Sequence, residues 1–180
     1  MENKKNSLNL NLDVNSKIIE EINLARTNPA EYAAKLERFS TKLTKKNRII
    51  LENEEMYFHE GLSIFDETIQ FLLDISPLSP LENIEGLDES AYELLNVMKI
   101  EEGLNKEEYH NSTFDLEKRL DHFGVFFGEY SELITYGIKN PELIVLNFIL
   151  CDGDKSRSDR KVIFNELFNF AGISTGTLPS

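Results

Sequence analysis

Apolar residues recur along most of this chain at helical spacing. Ile18, Ile19, Ile22 and Ala25 follow Asn15-Ser16, which predicts a helix capped there and ending near Arg26-Thr27. Asn28-Pro29-Ala30-Glu31 predicts a second helix start. Asn28 is the cap, Pro29 the first helical residue and Glu31 the closing half of a capping box. Tyr32, Ala33, Leu36 and Phe39 would form its buried face. Residues 40–60 are charged and weakly periodic, consistent with a loop or an extra strand.

Leu62, Phe65, Ile69, Leu72 and Leu73 predict another amphipathic helix, stopped by Ser76-Pro77. The Pro77–Leu81 stretch reads as a rigid connector. Asp88 is positioned to cap a further helix with Ala91, Tyr92, Leu94, Leu95 and Met98 inside, broken by Gly103. A short helix is expected within residues 114–123, ended by Gly124. Val125–Tyr130 and Glu132–Gly137 read as extended segments. Asn140-Pro141-Glu142 repeats the Asn-Pro helix start. Leu143–Cys151 is almost wholly apolar, as befits a helix buried all round. Residues 151–154 predict a turn, residues 162–168 a helix or a strand, and residues 170–174 a strand.

The 180 residues suit one domain, with residues 1–15 as a flexible N-terminal arm and 16–180 as the folded part. A chain of this length buries enough apolar surface to need no staple. The net charge of -13 opposes phosphate backbones and anionic leaflets, so neither nucleic acid nor a membrane surface is an expected partner. The lone cysteine, Cys151, excludes an internal disulfide, and its apolar neighbours make it a core thiol. No apolar run follows Met1, and no stretch approaches the roughly 20 apolar residues of a membrane helix. An intracellular location is therefore the expectation.

Several stretches, taken in order, carry a likeness that none carries alone. They are Ile22–Pro29 with Tyr32-Ala33, Ile69–Leu72 with Pro77–Leu81, and Arg119–Gly124. Glu132–Gly137, Cys151–Arg160 and Asn165–Gly172 complete the series. Over residues 16–176 the chain resembles the CAP superfamily (cysteine-rich secretory, antigen 5 and pathogenesis-related-1 proteins, or SCP domains), in its cysteine-poor branch. That resemblance implies an α+β fold, a three-layer α-β-α sandwich with a central antiparallel sheet. It also implies a cavity lined by two histidines and two acids, which in many members can hold zinc.

Carried onto this chain, the first histidine falls on His110 and the first acid on Glu132. The second acid falls on Cys151 or Asp152, and the second histidine on Asp159. Asp159 removes a nitrogen donor and adds negative charge. The reading is thus a degenerate cavity at His110, Glu132, Asp152 and Asp159, with no metal, no cofactor and no catalytic residue. A weak metal site through His110, Glu132 and Asp152 is the lesser alternative. Arg157 or Arg160 is the expected counter-ion of Asp159 and Glu132. The family's late Gly-x-His is Gly176-Thr177-Leu178, and the final strand is missing, which would leave a sheet edge open to another chain.

Other chemistry is weaker. His59 reads as a surface histidine, and His122 as a helix-end one. Ser131 and Cys151 lack the surroundings of a nucleophile. No phosphate-binding glycine loop and no calcium loop occurs. Asn111-Ser112-Thr113 matches a glycosylation sequon, relevant only to a secreted chain. The expected function is a non-enzymatic structural or protein-interaction module in a larger assembly. Asn-, Lys- and Ile-rich usage hints at an AT-rich protist genome, and a part in a cytoskeletal or ciliary assembly is a further step beyond that. The alternatives are a binder of a small apolar ligand such as a sterol or fatty acid, with Phe126, Phe127 and Tyr130 as candidates, or a divalent-metal hydrolase.

Overall fold

A computed structural model describes residues 2–51, 54–100 and 116–177, with mixed helix and strand. In chain order these are α1 (Glu2–Thr27), α2 (Pro29–Ser40), β1 (Arg48–Leu51), β2 (Glu54–Tyr57), α3 (Leu62–Asp74) and β3 (Glu82–Asn83). After them come α4 (Glu85–Ile100), α5 (Leu116–Phe123), α6 (Pro141–Leu150), α7 (Ser158–Ile163) and β4 (Phe170–Ala171). The broad α+β class holds.

The strands form two separate ladders. β1 pairs antiparallel with β2, Ile49 opposite Met56, and β3 pairs in parallel with β4, Glu82 opposite Phe170. The central antiparallel sheet expected from the resemblance is not formed among the described residues. The two segments expected to be extended, 125–130 and 132–137, have no ladder. A bend falls at Gly128, and Gly128 and Gly137 both take positive φ, which interrupts an extended run.

The chain packs as two compact units. One comprises Met1–Ile19, Leu81–Glu132 and Leu167–Ser180; the other comprises Glu20–Pro80 and Leu133–Glu166.

In the second unit the core centres on α6. Leu143, Val145, Leu146, Ile149 and Leu150 are buried around its circumference, as its uniform apolarity requires. Asn140 caps it, its side chain accepting from the N–H groups of Glu142 and Leu143. Cys151 follows in the left-handed conformation, buried. On α2, Tyr32, Ala33, Leu36 and Phe39 are buried as the pattern predicts. Asn28 does not cap α2 with its side chain, which donates instead to the Thr27 hydroxyl. The buried face of α3 differs from the expected one. It is Ile64, Phe65, Thr68 and Leu72, while Leu62 and Leu73 are exposed. Thr68 can be buried because its hydroxyl donates to Ile64 O and accepts from Arg160.

In the first unit α4 starts before Asp88, which is not its cap. The Asp88 carboxylate accepts from Ile173 N and from the Asn83 side chain, tying the C-terminal segment to α4. Gly172 lies so close to α4 that a Cβ there would sit 2.1 Å from the Leu87 carbonyl carbon. α1 begins at Glu2, well before the predicted cap at Asn15-Ser16, so its helical backbone runs through the expected arm. No Gly or Pro between residues 2 and 27 stops it. Asn15 instead donates to Ile173 O and accepts from Thr175. Residues 164–169 are turn and irregular backbone rather than the expected helix or strand.

Candidate functional site

Of the four expected cavity positions, His110 lies outside the described residues, as do Gly103 and the Asn111 sequon. Glu132 belongs to the first unit, and Asp152 and Asp159 to the second.

Glu132 follows the exposed segment after α5, and its carboxylate is ion-paired with Arg119. The Arg119 side chain is 2% exposed and that of Glu132 20%. Arg119 comes from α5, so the pair fixes the segment's end to the helix it left. The expected counter-ions, Arg157 and Arg160, are engaged elsewhere.

Asp152 sits in the turn after α6. Its two oxygens accept the backbone N–H groups of His59 (2.5 Å) and Glu60 (3.0 Å), between β2 and α3. The carboxylate thus organises two loops. Two residues on, Asp154 accepts from the N–H and hydroxyl of both Ser156 and Ser158, which holds its carboxyl well below the usual range.

Arg157, in the left-handed conformation before α7, grips Glu60 with two nitrogens at 2.7 and 2.8 Å. It also reaches Glu67 at 2.8 Å. The side-chain hydrogen bond to Glu60 raises the Arg157 pKa above its ordinary value. The same bond, with the Gly153 N–H, holds Glu60 at about 2. Arg160 is buried and donates to Ile149 O, Leu150 O, the Thr68 hydroxyl and Glu67. Burial pushes Glu67 up, but Arg160 and Arg157 together bring it below its ordinary value. Asp159 lies in the first turn of α7, where the Ser158 hydroxyl is 3.5 Å from its carboxylate. The Arg157-Ser158-Asp159-Arg160 motif is therefore a clamp joining α3, α6 and α7. Sequence reasoning picked out its arginines but missed Glu60 and Glu67, which lie about 90 positions upstream.

Among the described residues no three His, Cys, Asp or Glu side chains converge as a metal site. Ser131 is exposed beside an ion-paired Glu132, and the Cys151 thiol is buried with Asp154 3.7 Å away. His59 is on the surface, its ring edge-on to Tyr57, and His122 in the last turn of α5 lies 3.4 Å from Glu93. A hollow of about 240 Å³ in the second unit is lined by Met56, Phe58, His59, Asn147 and Asp152, among others. Pockets for drug-sized ligands run to roughly 300–1,000 Å³ and are mostly apolar, so this one is small and polar for a sterol or fatty acid.

Large apolar side chains are exposed after α5. Between α5 and Glu132, Val125 is 80% exposed, Phe127 93% and Tyr130 48%. Three such residues fall within six positions of irregular backbone.

Comparison with protein-family models, characterised proteins and solved structures finds no match for this chain. No helix among the described residues is long and apolar enough to cross a membrane.

Proposed function

We propose that this chain is a non-enzymatic protein-interaction module, a degenerate relative of CAP domains whose docking surface is the segment Val125–Tyr130. The observation that carries the reading is the exposure of Val125 and Phe127 on backbone that joins no ladder. Large apolar side chains held in water are a standing cost that a partner's surface removes. The acids at the expected cavity positions support the non-catalytic half. Glu132 neutralises a buried arginine, and Asp152 is spent on two backbone N–H groups. A group so engaged is poorly placed to move protons or ligate a metal. The CAP-like sandwich belongs to this proposal and rests on the order of sequence motifs.

The test is a pull-down from native extract with the full chain and with the Val125→Ser/Phe127→Ser double variant. A partner retained by the wild type and lost by the variant is the expected result. Equal recovery by both, or no partner at all, would sink the proposal.

A further inference from the structure

We infer that the hollow between the β1–β2 hairpin and the end of α6 is a binding site for a primary alkylammonium group. The inference is independent of the Val125–Tyr130 reading, and failure of either leaves the other standing. The hollow lies wholly within the second unit. β2 and its continuation supply Tyr57, Phe58 and His59, α6 supplies Asn147 and Leu150, and the turn after α6 supplies Asp152.

The polar groups of this lining are acceptors without a cation. Asp152 accepts the N–H groups of His59 and Glu60, at 2.5 and 3.0 Å. Those bonds hold the carboxylate still but do not cancel its charge, and each oxygen keeps a lone pair. Among the described residues no Lys or Arg pairs with it. Arg157 is committed to Glu60 and Glu67, and Arg48, opposite Tyr57 in the ladder, to Glu55. Lys155, exposed three residues on, makes no bond to Asp152. Asn147 donates its amide nitrogen to Thr135 Oγ1 at 3.3 Å, which leaves its Oδ1 without a partner among the described residues. The His59 ring meets the Tyr57 ring edge-on, 5.1 Å between centroids, and makes no hydrogen bond to a described residue.

An ammonium carries three donors and no acceptor, which complements one carboxylate, one amide oxygen and one imidazole nitrogen. It also cancels the charge of Asp152 in a charge-assisted bond. An anion finds the reverse, since the N–H groups of His59 and Glu60 are already taken. The volume of about 240 Å³ is several times the share of one water, roughly 30 Å³, so it admits the ammonium and a short methylene arm. The buried side chains of Phe58 and Leu150 give that arm apolar contact. The group could come from a lysine of another chain or from a free amine.

NMR titration of the isotope-labelled full chain at about pH 8, where alkylamines stay protonated, tests this. The probes are n-butylammonium chloride, butanol, sodium butyrate and Nα-acetyl-lysine amide. Butylammonium should shift the His59 and Asp152 amide signals saturably, with a Kd of about 1–10 mM. Butanol and butyrate should bind at least about tenfold more weakly. Asp152→Asn should weaken butylammonium binding about tenfold or more. Because Asp152 also holds two loops, His59→Phe is the second variant. It keeps the backbone N–H bond and should weaken binding several-fold, while His122→Phe, the same change on α5, should leave it unchanged. Tighter binding of the lysine amide than of butylammonium supports the site with a protein lysine as its source, and equal or weaker binding supports it with a free amine. Equal binding of butanol, affinity undiminished in both site variants, or no saturable shift up to about 50 mM would overturn the inference. Zinc or calcium chloride that shifts the same signals and expels butylammonium would make this a metal site and overturn it too.

Discussion

Arg160 ties three helices of the second unit together. Its guanidinium satisfies two carbonyls at the end of α6, a buried hydroxyl on α3 and the Glu67 carboxylate. Arg160→Ala removes the side-chain donor from the two carbonyls and leaves Thr68 and Glu67 with only Ile64 O and Arg157, and should cost about 3 kcal/mol in urea unfolding, seen as a lower midpoint. Arg160→Lys should recover only part, since one ammonium cannot span the planar fork's partners. The acid limb of stability follows from Glu60. Its folded pKa is about 2 against an ordinary 4.5, so its contribution is complete above 4.5 and is lost as pH falls toward 2. Glu67 and Asp154 shift in the same direction. Thermal midpoints followed down through that window should fall, and Glu60→Gln should fall less steeply there because it has already lost the titrating group.

At the scale of elements, the β3–β4 ladder is only two residues per strand, yet it is held from several sides. Asn83 donates to Ala171 O, Asp88 accepts Ile173 N, and Gly172 packs against the first turns of α4. A Cβ at Gly172 would meet backbone rather than a yielding side chain. Gly172→Ala should therefore destabilise by about 2–3 kcal/mol, measured by chemical unfolding. The segment 125–137 gives the sharpest test of architecture. Without ladder bonds its amides should exchange with deuterium far faster than those of α6. Protection of 125–137 comparable to α6 would instead place it in a sheet, as the CAP resemblance implies.

For the whole molecule the governing quantity is charge, 32 acids against 19 basic residues. Self-repulsion of that size should be relieved by salt. Raising sodium chloride from about 10 mM to about 150 mM shortens the Debye length from roughly 30 Å to roughly 8 Å, and the thermal midpoint near neutral pH should rise. A fall would mean that the salt-sensitive clamp pairs, Arg157 with Glu60 and Glu67, outweigh the repulsion.

The local signals were legible in the chain wherever they are carried by neighbours. The buried faces of α2 and α6, the Asn140 cap, the end of α5 at Gly124 and the turn after Cys151 all follow from residues within one or two helical turns. Asn28 makes no side-chain cap, its amide nitrogen donating to Thr27 instead. The face of α3 differs from the apolar pattern because Thr68 is buried with its hydroxyl bonded to Ile64 O and to Arg160. The pairing of Glu132 with Arg119 rather than with Arg157 or Arg160 depends on where α5 runs. Spacing and periodicity report what a residue does to its own element. Which carboxylate meets which guanidinium, and whether an extended stretch finds a strand to pair with, are set by long-range packing, and only the tertiary structure decided them.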